Sequence, residues 1–252
     1  MSADLLEVHK LEKNYDGVKA LADFSCSVRH GEILGLIGPN GAGKTTFFNV
    51  ASGFIAPDSG GIVFKGTNIT HLPPHRIANL GISRTFQNLR LIRQISVLDN
   101  VLLCFQDQPG EKLRNVFFNW RQSRRQESEN RQEAYALLEE AGLLNKAGDP
   151  AEELSYGQQK LLSLVCCLAA KSDLLLLDEP VAGIAPEMTE RILETIRGLP
   201  PKGKSVVLIE HNLDAVMQIC DRVIFMDAGA KVSEGTPEEV RNDPKVIEAY
   251  ID

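Results

Sequence analysis

The sequence of 252 residues is poor in the features that mark membrane, secreted and nucleic-acid-binding proteins. Its longest strongly apolar stretch, Leu161 to Ala170, has about half the length that a membrane-spanning helix needs. The N-terminus lacks the basic and then apolar segments of a secretion signal. The formal net charge of −7 argues against a nucleic-acid partner, which usually requires a basic surface. We therefore expect a cytoplasmic globular protein without a nucleic-acid partner.

Cysteine is also scarce and is not spaced for metal binding. The five cysteines, an odd number, contain no C-x-x-C pair. We therefore expect reduced, structural thiols rather than disulfides or a metal site. The adjacent residues Cys166 and Cys167 are predicted to pack inside a helical core.

The chain does contain a complete phosphate-binding loop, G-x-x-x-x-G-K-T, at residues 38–45. An apolar run suited to a buried strand precedes it and a potential helix follows it, which is the context that the motif requires. Its glycines let backbone N–H groups point at phosphate oxygens, and the helix N-terminus adds to the field. Lys44 is expected to reach the β- and γ-phosphates, and the Thr45 hydroxyl to hold Mg²⁺. The residues expected to bind the nucleotide are Gly38, Pro39, Asn40, Gly41, Ala42, Gly43, Lys44, Thr45 and Thr46.

Apolar runs alternate with helical segments in the second half of the chain. The runs at 174–177, 206–209 and 223–226 indicate buried strands, and this alternation is typical of a parallel α/β sheet covered on both faces. The first thirty residues indicate strands around a turn, whereas residues 88–153 are charged and helical. The sequence therefore predicts an α/β nucleotide core interrupted by a helical lobe.

The run at 174–177 ends in two acids, Asp178 and Glu179. Ligands of open α/β sheets bind at the carboxyl ends of the strands, so both side chains are expected at the phosphate-binding edge. Asp178 is suited to the Mg²⁺ shell, and Glu179 to accepting a proton from an attacking water. Together with the loop, this strand predicts a nucleoside triphosphatase.

A third motif, Leu154-Ser155-Tyr156-Gly157-Gln158, precedes an apolar helix. Ser155 is a good N-cap, and Gly157 permits close approach of a ligand to the backbone. Taken alone, the motif is either a simple capping turn or a second anion site at a helix N-terminus. Because the chain already has a phosphate-binding loop, the second interpretation offers this site to the nucleotide of another subunit.

In combination, the three motifs resemble the nucleotide-binding subunits of ATP-binding-cassette (ABC) transporters over essentially the whole chain. The resemblance implies a P-loop NTPase core of ABC type with an N-terminal antiparallel β region and an inserted helical subdomain. It also implies that Tyr15 stacks on adenine and that Gln87 contacts Mg²⁺ and water beside the transmembrane contact. His211 corresponds to the switch histidine at the γ-phosphate. The implied catalytic residues are Lys44, Gln87, Glu179 and His211, the metal ligands are Thr45, Gln87 and Asp178, and Ser155, Gly157 and Gln158 face the nucleotide of a partner subunit.

Within this family the chain is most similar to the branched-chain amino acid uptake ATPases, on the motifs at 84–87, 179–183 and 242–250. The resemblance implies one cassette domain over 1–252, with a helical subdomain at about 88–160 and a helical tail at 236–252. Two positions depart from the family pattern. Tyr156 replaces the first glycine of the signature, and Ala185 replaces an Asp or Asn that helps to couple the two sites of a dimer, which leaves the strength of that coupling open.

An insert at 111–131 combines basic and aromatic residues. It is either a solvated helical elaboration or an amphipathic surface near the membrane or the membrane subunit. Its members are Lys112, Arg114, Phe117, Phe118, Trp120, Arg121, Arg124, Arg125 and Arg131.

The resemblance implies an ATPase that uses ATP and Mg²⁺ to power uptake of a small solute, such as a branched-chain or other hydrophobic amino acid. Its implied partners are a second cassette, identical or a sister chain, separate transmembrane permease subunits and, indirectly, a solute-binding protein. It would then lie on the inner face of the cell membrane. The alternatives are an importer ATPase for urea or amides, a soluble ABC-type ATPase without a permease, and a cassette that binds ATP without hydrolysing it.

Overall fold

The N-terminal part forms an antiparallel sheet in the structure, a computed structural model that describes residues 4–87, 89–106 and 120–251. Its strands are Leu6–Tyr15 (β1), Val18–Val28 (β2), Ser59–Phe64 (β4) and Thr67–Asn68 (β5), in the order β2-β1-β4-β5. Asp16 and Gly17, with φ of 46° and 88°, make the turn between β1 and β2 that this residue pair predicts. The predicted antiparallel β region is thus present.

A second sheet carries the phosphate-binding loop at the end of one of its strands. The strands are Ile33–Ile37 (β3), Ile82–Arg84 (β6), Leu174–Asp178 (β7), Ser205–Ile209 (β8), Arg222–Asp227 (β9) and Ala230–Gly235 (β10), in the order β10-β9-β3-β8-β7-β6. The pairs from β9 to β6 are parallel, and β10 is antiparallel to β9. Every residue of β3, β7 and β8 is buried, as predicted for strands covered on both faces.

Helices connect and cover the strands. In chain order they are Lys44–Ala51 (α1), Pro74–Leu80 (α2), Val97–Leu102 (α3), Trp120–Glu140 (α4), Tyr156–Ala169 (α5), Pro186–Arg197 (α6), Leu213–Ile219 (α7), Pro237–Arg241 (α8) and Pro244–Ile251 (α9). Short 3₁₀ turns lie at Leu144–Lys146, Ala151–Glu153 and Pro200–Lys202. Across the parts of the chain that the structure describes, none of the helices has both the length and the apolarity that a bilayer crossing requires.

Helix α1 is anchored by two buried aromatic side chains. The ring centroid of Phe47 lies 5.0 Å from that of Phe24 on β2 and 6.1 Å from that of Phe48. Both α1 rings belong to a core that contains residues of the two sheets. Full burial of such a side chain stabilises the fold by about 1.5–3 kcal/mol. The loop that leads into α1 is therefore held by a rigid support.

The chain divides into two compact units. The first contains residues 1–87, 173–182 and 190–252, and the second contains residues 88–172 and 183–189. The second unit has its own apolar core, in which α3, α4 and α5 pack together around residues such as Val101, Leu138 and Leu161. The subdomain predicted at about 88–160 lies within this unit, and its bounds stay a prediction. In the first unit, a capping box of Thr236 and Glu239 begins α8.

Candidate active site

The loop between β3 and α1 is shaped by glycines at positions that exclude a side chain. Gly38 and Gly43 have φ of 146° and 100°. A Cβ atom would lie 2.0 Å from the carbonyl oxygen of Met226 at Gly38, and 2.3 Å from that of Ala20 at Gly43. Gly41, with φ of 84°, has no atom within 4 Å of its virtual Cβ. The loop is therefore packed against β9 and β2 at its ends and open at its middle.

The ammonium group of Lys44 lies inside this loop. It donates hydrogen bonds of 2.7 Å to the carbonyl oxygen of Gly38 and 2.9 Å to that of Pro39. Burial lowers the pKa of Lys44, and the nearby carboxylates of Glu179 and Asp178 act in the opposite direction. The lysine is a partly desolvated cation, so an anion beside it gains more than it would in water.

A cavity of about 200 Å³ opens beside the loop and brings together all four residues predicted to be catalytic, Lys44, Gln87, Glu179 and His211. All of its lining residues belong to the first unit. The lining residues are Ala20, Asn40, Gly41, Ala42, Gly43, Lys44, Thr45, Thr46, Gln87, Glu179, Ile209 and His211. Residues far apart in the sequence thus meet at the carboxyl ends of β3, β7 and β8.

Glu179 and His211 are in direct contact within the cavity. Oε1 of Glu179 lies 3.1 Å from Nε2 of His211. The backbone of Glu179 is in the left-handed region, with φ of 49°, and its N–H donates to the carbonyl oxygen of Ile209 at 2.9 Å. The turn after β7 is thus hydrogen-bonded to the end of β8, and this places the Glu179 carboxylate beside the His211 ring.

Glu210 is a site residue that the sequence interpretation missed. It is buried, and its carboxylate accepts hydrogen bonds from the backbone N–H of Val181 at 2.9 Å and of His211 at 3.2 Å. It therefore joins the turn after Glu179 to the residue that contacts Glu179. The sequence carries a signal for Glu210, because this acid directly follows the apolar run at 206–209, as Asp178 follows the run at 174–177.

Asp178 is the last residue of β7, directly before Glu179, and it is buried and outside the lining of the cavity. Its Oδ2 accepts a hydrogen bond of 3.2 Å from Nη2 of Arg84, whereas its Oδ1 is buried without a hydrogen-bond partner among the described residues. Burial raises the pKa of Asp178, and the charge of Arg84 works against this rise. A buried carboxylate oxygen without a partner fits a place in the hydration shell of Mg²⁺, which usually binds one or two carboxylates together with phosphates.

Tyr15 is at the end of β1 and outside the lining of the cavity. The residue is 42% exposed, and the ammonium group of Lys13 lies 5.7 Å from its ring centroid. An exposed ring of this kind is available for stacking on a base. Its contact with adenine stays a prediction.

The motif at 154–158 belongs to the second unit, where it starts helix α5. Ser155 is the N-cap, as predicted. Its Oγ accepts from the N–H of Gln158 at 3.3 Å, and its own N–H donates to Oε1 of Gln158 at 2.9 Å. A Cβ at Gly157 would lie 2.6 Å from Cγ of Met188. Gly157 is thus required for packing within this unit, apart from any approach to phosphate.

Part of the insert at 111–131 lies outside the described residues, including Lys112, Arg114, Phe117 and Phe118. The remainder begins α4. There Arg125 pairs with Glu129 at 2.9 Å, and both side chains are largely exposed. Exposed pairs of this kind are typical of a solvated helix. A membrane-facing role of the insert stays a prediction.

Comparison with known sequences identifies the protein family to which the chain belongs. Residues 21–182 match the profile of the family described as ABC transporter. Residues 230–251 match the profile described as branched-chain amino acid ATP-binding cassette transporter. The chain belongs to the ABC transporter family, as one of its ATP-binding cassettes.

The likeness to individual relatives extends over the full chain. The chain is 39% identical over 252 residues to the high-affinity branched-chain amino acid transport ATP-binding protein LivG of Salmonella typhimurium, covering 100% of this chain and 99% of the relative. It is 38% identical, with the same coverage, to LivG of Escherichia coli. A solved nucleotide-free ATP-binding cassette from an ABC transporter is 35% identical and has a TM-score of 0.85, covering 99% of this chain and 100% of that chain.

These comparisons confirm the predicted family, the predicted fold class and the prediction of an ATPase of ABC type. The structure places Lys44, Thr45, Gln87, Glu179 and His211 on one cavity. It places Asp178 at the buried end of β7, next to Glu179. The roles of the individual residues, including those of Ser155, Gly157 and Gln158, stay predictions.

Proposed function

We propose that the chain is the ATP-hydrolysing subunit of an importer that takes up branched-chain or other hydrophobic amino acids. The observation that carries the proposal is the cavity in which the phosphate-binding loop meets Glu179, His211 and Gln87. The amino acid substrate is supported by the names of the relatives and by the match of residues 230–251 to a branched-chain amino acid cassette family.

In the proposed reaction, water attacks the γ-phosphorus of ATP, the bond from that phosphorus to the ADP oxygen breaks, and Glu179 accepts a proton from the water. Backbone N–H groups of the loop and Lys44 hold the phosphates. His211, 3.1 Å from the Glu179 carboxylate, lines the same cavity as the loop and would contact the γ-phosphate. Removal of a general base typically lowers a rate by about 10²–10⁴-fold.

The residues that would hold Mg²⁺ are Thr45, Gln87 and Asp178. The ion would neutralise charge on the β- and γ-phosphate oxygens as it develops during the reaction. The unpartnered Oδ1 of Asp178 supports this assignment, since a buried carboxylate oxygen without a donor is costly.

We propose further that two cassettes pair head to tail, with ATP between the loop of one and Ser155, Gly157 and Gln158 of the other. The partner would be a second copy or a sister chain. Permease subunits would bind the pair at the inner face of the membrane, and a solute-binding protein would deliver the amino acid. The support for these partners is that the relatives are named as transport proteins.

The test is purification of the tagged chain from detergent-solubilised membranes of its source, followed by uptake of labelled leucine into vesicles that hold the co-purified proteins. We expect ATP-dependent leucine uptake that Lys44→Ala abolishes, because the mutant loses affinity for nucleotide. Exposed Lys202→Ala, on the surface of the same unit, is the matched control. Uptake of urea or amides instead would support the alternative importer. Recovery without membrane proteins would contradict the transport function, and absence of steady-state hydrolysis would contradict the ATPase.

A further inference from the structure

One side chain, Arg84, joins the two elements that carry the proposed Mg²⁺ ligands. Its Nη1 donates to Oδ1 of Asn49 at 2.7 Å and to Oγ of Ser52 at 3.2 Å. Its Nη2 donates to Oδ2 of Asp178 at 3.2 Å. Asn49 lies one helical turn after Thr45 on α1. The guanidinium therefore connects helix α1, which follows the phosphate-binding loop, to the end of β7.

The geometry of this bridge is fixed by burial. The side chains of Arg84 and Asp178 are only 6% and 2% exposed. The guanidinium carbon lies 5.4 Å from the ring centroid of Phe48 and 5.0 Å from that of Phe86. Cations stack favourably on aromatic faces at these distances, and more so when they are desolvated. On the backbone side, Arg84 of β6 pairs with Leu176 of β7, two residues before Asp178.

The two carboxylate oxygens of Asp178 have different surroundings. Oδ2 is bonded to Arg84, and Oδ1 is left without a protein donor in the described part of the chain. A carboxylate that pairs through one oxygen cannot rotate freely, so the other oxygen keeps one position. A lysine would supply the charge but not the planar fork that bonds α1 and Asp178 together.

We propose that Arg84 is a positioning residue for the metal: it fixes the Asp178 carboxylate relative to α1 and Thr45, so that Oδ1 is presented to Mg²⁺ when nucleotide binds. The inference rests on the proposed Mg²⁺-dependent ATP site. It adds a residue of the 84–87 motif to which the resemblance assigned no role, and it explains the pairing of Arg84 with Asp178.

The test measures binding of a fluorescent ATP analogue, first in EDTA and then over a series of Mg²⁺ concentrations, and binding of Mn²⁺ to the nucleotide complex by electron paramagnetic resonance. Arg84→Met should keep the affinity in EDTA within about twofold, because the phosphate loop is untouched. The Mg²⁺ concentration for half-saturation should rise about 10–100-fold, the usual effect of losing a partner behind a metal ligand. Arg84→Lys should lie between wild type and Arg84→Met, and it carries the test if Arg84→Met does not fold.

Two controls separate positioning from general damage. Arg222→Met removes another buried arginine of the same unit, which is the first residue of β9 and pairs with Glu32. This variant should leave the Mg²⁺ dependence unchanged. In an Asp178→Asn background, Arg84→Met should add no further change. Unchanged Mg²⁺ dependence in Arg84→Met, an equal loss of affinity in EDTA, or a full additional effect in Asp178→Asn would overturn the inference. Absence of Mg²⁺ dependence in the wild type would instead overturn the proposed function.

Discussion

At the scale of single residues, Glu179 is the cavity carboxylate best placed to accept a proton from water. Its side chain reaches the cavity, contacts His211 at 3.1 Å and is more exposed than the buried Asp178 behind it. We expect Glu179→Gln to keep ATP binding and to lose about 10²–10⁴-fold in steady-state ATP hydrolysis, because the amide cannot take the proton. Release of phosphate, measured beside equilibrium binding of a labelled analogue, checks both parts.

The matched control is Glu194→Gln, an exposed acid on α6, which should hydrolyse ATP as the wild type does. Glu179→Gln should also accumulate an ATP-bound dimer. Hydrolysis by this variant at nearly the normal rate would remove Glu179 from the catalytic role.

The glycines of the phosphate loop are required to different degrees. Gly38→Ala places a Cβ 2.0 Å from the Met226 carbonyl oxygen, and we expect it to lower the free energy of unfolding by about 3 kcal/mol or more. Gly41→Ala meets no atom within 4 Å, so only the left-handed backbone opposes it, at about 1–2 kcal/mol. Urea unfolding followed by circular dichroism measures both. Equal losses at the two positions would contradict the packing shown for Gly38.

A site residue could be predicted from the sequence when its neighbours in the chain indicate its role. Lys44, Thr45, Asp178 and Glu179 stand next to a strand or in a fixed motif, so their chemistry follows from neighbours in the sequence. Arg84 acts through partners at positions 49 and 178, and nothing in its local sequence shows that a guanidinium will fill that space. Its part in the site could be seen only after folding.

At the scale of elements, Gly157 in the first turn of helix α5 has two explanations, which are packing against Met188 and contact with the nucleotide of a partner. Substitutions at this position separate them. If the motif serves the nucleotide of a partner, Gly157→Asp should still bind ATP through its own loop and should fail to form ATP-dependent dimers, since like charges repel. Light scattering with and without ATP measures this. Gly157→Ala is the control for the contact with Met188, because its methyl group meets the same Cγ at 2.6 Å without adding charge.

Mixing Gly157→Asp with Lys44→Ala subunits sharpens this test. One composite site of the mixed pair then carries both defects and the other carries neither, so partial recovery of ATPase activity supports the head-to-tail arrangement. Normal dimers and full activity of Gly157→Asp alone would show that the motif has no role in the partner's site.

The elements themselves were largely predictable. The all-apolar runs within β7, β8 and β9 predicted buried strands. The Asp-Gly turn at 16–17 and the Thr-x-x-Glu capping box at 236–239 follow equally from local chemistry. The order of the strands was not predictable. Nothing local states that β3 lies between β8 and β9, because that choice is made by packing between segments far apart in the chain.

At the scale of the whole molecule, burial divides the five thiols by reactivity. It raises the pKa of Cys26, Cys167 and Cys220 to about 12, so these thiols carry almost no thiolate at pH 8. A hydrogen bond with the Cys166 thiol lowers the pKa of Cys104, which is only partly buried. We expect Ellman's reagent to modify Cys104 first in the native protein and all five thiols in urea. Cys104→Ser should lose the fast phase, and rapid native labelling of Cys26 would contradict its burial.

The left-handed backbone of Glu179 has a further consequence for the balance between the stability of the fold and ATP hydrolysis. A non-glycine residue at φ of 49° costs about 1–2 kcal/mol, a noticeable part of the 5–15 kcal/mol that keeps a typical domain folded. Glycine would occupy the same turn without that cost. We therefore expect Glu179→Gly to melt at a higher temperature than the wild type in a calorimeter while hydrolysing no ATP. A lower melting temperature would refute this. On the proposed role of Glu179, the turn that holds the carboxylate in the cavity is also the turn that lowers the stability of the fold.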